Sequence, residues 1–150
     1  MTYRLATPNE SKQLAELFWE HTNEFDSVNP AEKEPYVREC TEHIKQRLGK
    51  DLFCWIAEIN GRIISHTNVI IAYKIPRPGK INRKYGRLST VRTIPEYRNQ
   101  GVGSALMETV KTWSKEQNLE ELLVGPSEQS IQFYERAGFK HETDLMEMTL

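Results

Sequence analysis

The chain has 150 residues, enough for one domain around one core, and its 38% hydrophobic and 27% charged residues are ordinary for a globular protein. With 20 Lys and Arg against 21 Asp and Glu the net charge is −1, so no global charge directs it to nucleic acid or to a membrane. Apolar runs such as Val69-Ile70-Ile71-Ala72 are too short to span a bilayer, and Cys40 and Cys54 form neither a CxxC pair nor a Cys/His cluster. The opening Met1-Thr2-Tyr3-Arg4-Leu5 lacks the apolar core of a secretory leader, so we expect a cytoplasmic protein with reduced thiols and no metal.

Thr7-Pro8-Asn9-Glu10 reads as a helix start: Thr7 caps, Pro8 suits the first position, and Glu10 completes a capping box. Leu14, Leu17 and Phe18 follow at helical spacing, and Asn23 to Pro30 breaks the pattern. A second helix is predicted from Pro35 to Leu48, with Val37, Ile44 and Leu48 as its apolar stripe and Gly49 as its stop. Phe53 to Ile59 reads as a strand, Asn60-Gly61 as a hairpin turn, and Arg62 to Tyr73 as the returning strand. Lys74 to Lys84 is a loop, and Tyr85 to Arg92 a further strand. Val102, Leu106, Val110 and Trp113 line one face of the next helix. Leu119 to Val124 is a short strand ended by Gly125-Pro126. A last helix begins at Ser127 or Glu128 and ends at Gly138; Phe139 to His141 and Asp144 to Leu150 are expected to finish the sheet. The order β-α-α-β-β-β-α-β-α-β-β predicts an α/β fold with a twisted mixed sheet flanked by helices. The strands on either side of the helix after Gly101 should be parallel neighbours.

Arg98-Asn99-Gln100-Gly101-Val102-Gly103 stands where an extended run gives way to a helix. Two glycines two residues apart let a ligand approach the backbone without a Cβ in the way. The first helical turn has N–H groups without helical partners, and these donors, the helix dipole and Arg98 make a site for phosphate or pyrophosphate. The spelling excludes a P-loop, since Gly103 is followed by Ser104-Ala105 and not by Lys, and a dinucleotide fingerprint, since position 106 is Leu.

The run from Val91 through Pro95 to Gly103 resembles the acetyl-CoA loop of the GNAT superfamily of N-acetyltransferases. A second segment, Ser130-Ile131-Gln132-Phe133-Tyr134-Glu135-Arg136-Ala137-Gly138-Phe139, resembles that family's late helix and the turn after it. The likeness is good from about Tyr85 to Leu150; earlier, only the order of elements matches. It implies a single GNAT-like domain over residues 1–150 that takes acetyl-CoA as co-substrate. The loop Arg98, Asn99, Gln100, Gly101, Val102, Gly103 and Ser104 would hold the pyrophosphate, and the backbone of Val91, Arg92 and Thr93 would pair with the pantetheine arm. Thr93 stands where the family often has an aliphatic residue, a change of small consequence for backbone contacts. Phe133 belongs to the same cofactor motif. Ser127 replaces a frequent Asn and either contacts the cofactor or caps the helix; Ser130 leaves room beside it. Tyr134 is the catalytic candidate, placed to protonate or stabilise the departing thiolate.

The acceptor is expected to be a small-molecule or peptide amine attacked directly in a ternary complex. The alternative is a non-catalytic acyl-CoA-binding or regulatory module on the same fold. Glu24, Asp26, Glu58 and His66 are the candidates for a general base, with no choice among them. From Asn9 to Lys50, nine acids face six bases, which favours a cationic amine, with Trp19, Phe25 and Tyr36 as aromatic surface. The basic run Lys74–Arg87 is either solvated or a clamp on an acidic substrate or the CoA 3′-phosphate. Oligomeric state is open, with a homodimer among the options.

Overall fold

The computed structural model describes residues 1–89, 91–142 and 145–150. Six strands form one sheet: β1 (Thr2–Leu5), β2 (Leu52–Ile59), β3 (Arg62–Tyr73), β4 (Lys84–Leu88), β5 (Arg92–Thr93) and β6 (Leu122–Val124). The order is β1-β2-β3-β4-β6, with β5 also paired to β3; β4 and β6 are parallel and every other pair is antiparallel. The helices are α1 (Ser11–Phe25), α2 (Lys33–Arg47), α3 (Val102–Glu116) and α4 (Ile131–Arg136).

Local chemistry sets these elements. The Thr7–Glu10 capping box forms and starts a 3-10 turn over Pro8–Glu10 that runs into α1. Asn60 and Gly61 both have positive φ, 50° and 79°, the backbone of a type I′ hairpin between β2 and β3. Strand β2 is apolar on successive residues because both its faces are covered. Cys54 and Ile56 pack with Leu14, Ala15 and Trp19 of α1 and Val37 and Ile44 of α2. Trp55 packs with Leu106, Met107, Val110 and Trp113 of α3, and with Tyr134 of α4. Helices therefore flank the sheet on both sides. Gly86 of β4 allows close packing here, since a Cβ would lie 2.8 Å from Leu122 Cδ2 and 2.9 Å from Val69 Cγ1.

The parallel pair expected around the helix after Gly101 is present as β4 and β6. The strand expected over Tyr85–Arg92 is broken in two; Thr90 lies outside the described residues. Between the Leu88–Val69 and Arg92–His66 pairs stand residues 89–91 on one side and residues 67–68 on the other. One extra residue is a β-bulge, and a bulge bends the strand that carries it. Thr67 Oγ1 donates to the Ser89 carbonyl at 2.9 Å and the Asn68 N–H to Ser89 Oγ at 2.9 Å, so side chains and backbone hold the break together. The closing strands require correction: residues 139–142 and 145–150 are irregular, and part of the second, Asp144, lies outside the described residues. Leu145, Met146, Met148 and Leu150 stay exposed, so the alternation of that segment is not matched by a packed face. Among the described residues, no helix is long and apolar enough to cross a membrane.

Candidate active site

The bulge separates β5 from β6. Strand β6 follows β4 as far as the Leu88–Val124 pair and then turns away at Gly125-Pro126, while β5 follows β3. A cleft of about 600 Å³ opens in the gap, between the edge of β5, the loop before α3, the start of α3, and α4. The end of α1 closes it with Glu24 and Phe25.

Strand alternation decides which backbone groups face the gap. The Ile94 N–H donates to the Ile64 carbonyl at 2.9 Å, toward β3. The groups of Val91 and Thr93 therefore face the opposite edge. The Val91 N–H donates to Tyr134 Oη at 3.0 Å, and the Thr93 carbonyl accepts from Arg98 Nε at 2.9 Å.

The loop that leads into α3 turns on two positive φ angles, 59° at Asn99 and 79° at Gly101. It delivers Val102, Gly103 and Ser104 as the first helical residues, whose N–H groups have no helical partner. No acid stands in this first turn. A Cβ on Gly103 would lie 3.4 Å from Val91 Cγ1 and 3.6 Å from Phe133 Cε2, in ordinary contact with both, so a larger side chain there would extend into the cleft between them. Arg92, Arg98 and Arg136 line the cleft with Glu24 as the one lining acid among the described residues, an excess of positive charge beside a helix start.

Tyr134 and all residues singled out for the cofactor line this cleft except Gln100 and Ser127. Gln100 Nε2 donates to the Glu96 carbonyl at 2.8 Å, which pins the loop to the 3-10 turn before it. Ser127 Oγ donates to Ser130 Oγ at 3.0 Å, so its side chain neither caps the helix backbone nor reaches the cleft. Arg98 does not hold its guanidinium ready for phosphate: it bonds Glu24 at 2.7 Å as well as the Thr93 carbonyl. Gln129 and Arg136 also line the cleft and went unread in the sequence, although Arg136 lies two residues beyond Tyr134.

Tyr134 is 2% exposed and packs edge-on against Phe133 and Phe139, with ring centroids 5.0 and 5.5 Å away. Burial raises its pKa above the ordinary phenol value, although the Val91 N–H works in the other direction, so the hydroxyl keeps its proton at neutral pH. The oxygen accepts from Val91 and its own hydrogen remains available to a ligand.

The base candidates fall in different places. Glu58 is held by Arg4 and by the Gly61 N–H at the far end of β2. Asp26 is the C-terminal cap of α1 and lines neither chamber. His66 is buried on β3, and desolvation pushes its pKa down to about 3. Glu24 lines the cleft and also a second chamber of about 260 Å³ between α1 and the β3–β5 ladder. This second chamber includes Glu20, His21, His66 and Arg92. His21 Nδ1, His66 Nδ1 and Arg92 Nε are buried without a hydrogen-bond partner among the described residues. An unmet buried polar atom costs about 1–3 kcal/mol, so three around one chamber call for a ligand or ordered water.

Aromatic residues divide likewise. Trp19 and Tyr36 pack on each other in the α1–α2 core, with centroids 5.5 Å apart. Phe25 is exposed and lies 4.6 Å beneath the Arg92 guanidinium. The basic loop after β3 sits away from the cleft. Lys74 pairs with Glu120 and Glu121, and Arg83 with Glu120 at 3.0 Å.

Fold and cleft together define a class: a sheet splayed beside an open helix start is the architecture of acetyl-CoA-dependent transferases. The chain belongs to the acetyltransferase (GNAT) family, whose sequence profile matches residues 12–139. A glucosamine 6-phosphate N-acetyltransferase of Trypanosoma brucei brucei is 33% identical over 86 residues, which cover 57% of this chain and 56% of that protein. The chain thus aligns with about half the length of that curated relative. A predicted acetyltransferase of Clostridium acetobutylicum, crystallised with acetyl-CoA, has the same fold at 21% identity, with a TM-score of 0.79 over 99% of this chain and 95% of that one. The glucosamine-6-phosphate N-acetyltransferase of Arabidopsis thaliana aligns at 20% identity with a TM-score of 0.71, over 99% of both chains. Members of the family use acetyl-CoA as co-substrate.

Proposed function

We propose that the protein moves the acetyl group of acetyl-CoA to the primary amine of a small acceptor by direct attack in a ternary complex. The observation that carries this reading is the Val91–Tyr134 hydrogen bond across the splay, which sets a proton-bearing phenol beside a strand edge that pairs with no other strand and beside an open helix start. The pyrophosphate sits on the N–H groups of Val102, Gly103 and Ser104, with Arg136 as a nearby cation. Arg98 joins it by leaving Glu24. That exchange costs little, because both partners are more than a third exposed and such pairs contribute about 0–1 kcal/mol. The pantetheine arm lies along the edge of β5 turned away from β3, as an added strand, and takes the place of Arg98 at the Thr93 carbonyl.

An amine is largely protonated at neutral pH and must lose a proton before attack. Glu24 is the carboxylate that faces both chambers, and we assign it the role of taking that proton, directly or through water. The neutral nitrogen then adds to the thioester carbonyl, forming the C–N bond and a tetrahedral oxyanion. Collapse breaks the C–S bond and the departing sulfur takes the Tyr134 proton, while the second proton, shed by the nitrogen as it becomes an amide, returns through water to the Tyr134 oxygen. The products are an amide and CoA. Cys54 is fully buried and Cys40 lines neither chamber, so an acyl-cysteine intermediate has no support.

Thiol release from acetyl-CoA, measured with and without an amine panel, tests the reading. Amine-dependent release is expected; acetyl-CoA binding with no release for any amine would favour the non-catalytic acyl-CoA-binding module.

A further inference from the structure

The second chamber holds more chemistry than acetyl transfer uses. His66 on its wall is 6% exposed with Nδ1 unpartnered, and His21 Nδ1 and Arg92 Nε are equally without partners among the described residues. Arg92 is positioned on one side by the face of Phe25 and on the other by its place in the ladder opposite His66. Glu24 favours its charge, but in the free protein that carboxylate pairs with Arg98 at 2.7 Å, and once Arg98 turns to the cofactor it is assigned to the amine. Arg92 is thus a partly buried cation without an ion pair among the described residues, at the edge shared by the two chambers.

We propose, granting the acetyl transfer described above, that this chamber receives the acceptor and that Arg92 selects one carrying an anionic group, a carboxylate or a phosphate, beside its amine. A guanidinium with its Nε–H free offers a planar fork matched to either anion. The two imidazoles, kept neutral by burial and by Arg92, add hydrogen bonds and no charge. Glu20 and Glu24 line the same chamber and suit the ammonium end, so the arrangement fits a small molecule of both signs. Its volume of about 260 Å³ lies below the roughly 300–1,000 Å³ of drug-sized sites, which points to a ligand the size of an amino acid or an amino sugar. This narrows the cationic preference expected from the acidic helices: the amine keeps its acidic wall, but a second, negative group is required.

Calorimetric titration of the CoA-bound protein with matched amines tests this. Glucosamine 6-phosphate is compared with glucosamine, and alanine with alaninamide. The anionic member of one pair should bind about 10–100-fold more tightly, the range of a charge-assisted hydrogen bond, and the pair that responds identifies phosphate or carboxylate. Arg92→Gln should bring that ratio close to one and Arg92→Lys should restore part of it, with thermal unfolding run beside both. Equal binding within both pairs by the wild type overturns the proposal, as does no measurable binding of any of the four. So does a preference for spermidine, or a ratio that survives Arg92→Gln. The wild-type comparison decides without the variants, and because it reads binding, it separates this proposal from a failure of acetyl transfer.

Discussion

One N–H orients the central hydroxyl. By donating to Tyr134 Oη, Val91 occupies an oxygen lone pair and leaves the phenolic hydrogen to point at whatever fills the cleft. Two glycines act at the same scale. Gly101 holds φ at 79°, where an L side chain is strained by about 1–2 kcal/mol, and Gly103 has Val91, Thr93 and Phe133 around its missing Cβ. Gly101→Val and Gly103→Val should each lower acetyl-CoA affinity by roughly tenfold or more, the loss of at least one phosphate contact. Calorimetry of the folded variants checks this, and unchanged affinity in both would remove the loop from the cofactor site. His66 gives a pH prediction. Its pKa is lowered to about 3, chiefly by desolvation, so the ring should stay neutral while the unfolded chain binds a proton below about pH 6.5. The contribution of this group to stability is thus present above pH 6.5 and lost as pH falls toward 3. Its ring resonances should not titrate between pH 8 and 5; a midpoint in that interval would return His66 to the base candidates.

Among the elements, α1 and β5 carry most of the consequence. The capping box that starts α1 also ties it to the sheet edge: Arg4 of β1 bonds Glu10 at 2.7 and 2.9 Å and reaches Glu58 of β2. These hydrogen bonds hold the Glu10 pKa at about 2, below the ordinary carboxylate value. A lowered carboxylate pKa stabilises the fold above the unfolded value and is lost as pH falls through the folded one. Stability measured by denaturant should therefore decline from about pH 5 to pH 2, and Glu10→Gln should flatten that slope; parallel slopes would contradict the assignment. The elements differ in how far they were legible. Thr7–Glu10, Asn60-Gly61 and the Arg98–Ser104 loop were readable because each signal is local: a cap, a turn and a helix start. The bulge between Leu88 and Arg92 was not, because it exists only in the count against residues 67–68 of β3. The strand expected at Asp144–Leu150 rested on alternation alone, and no packed face supports it among the described residues.

At the scale of the whole molecule, two cavities meet at β5 and the end of α1. The α3 and α4 side, with the splay, presents the larger cleft, which we propose for the cofactor; the α1 side, against β3 and β5, presents the smaller chamber. Sequence motifs led to the first because its residues fall in two compact segments. The second is assembled from Glu20, His21 and Glu24 on one helix face, His66, and Arg92, and only long-range pairing brings these together. Glu24 and His66 were named from the chain as separate base candidates, with nothing local to show that they share a chamber. Glu24 lines both chambers and bonds Arg98, so the proposed cofactor and acceptor sites share a residue. The central claim remains that Tyr134 gives its proton to the leaving sulfur, and steady-state kinetics of Tyr134→Phe tests it most directly. With the ring kept and one hydroxyl removed, kcat should fall roughly 10–1000-fold while KM for acetyl-CoA holds, the mark of an interaction made in the transition state. Wild-type kcat in a well-folded Tyr134→Phe would contradict the account and leave Tyr134 as a packing residue between Phe133 and Phe139.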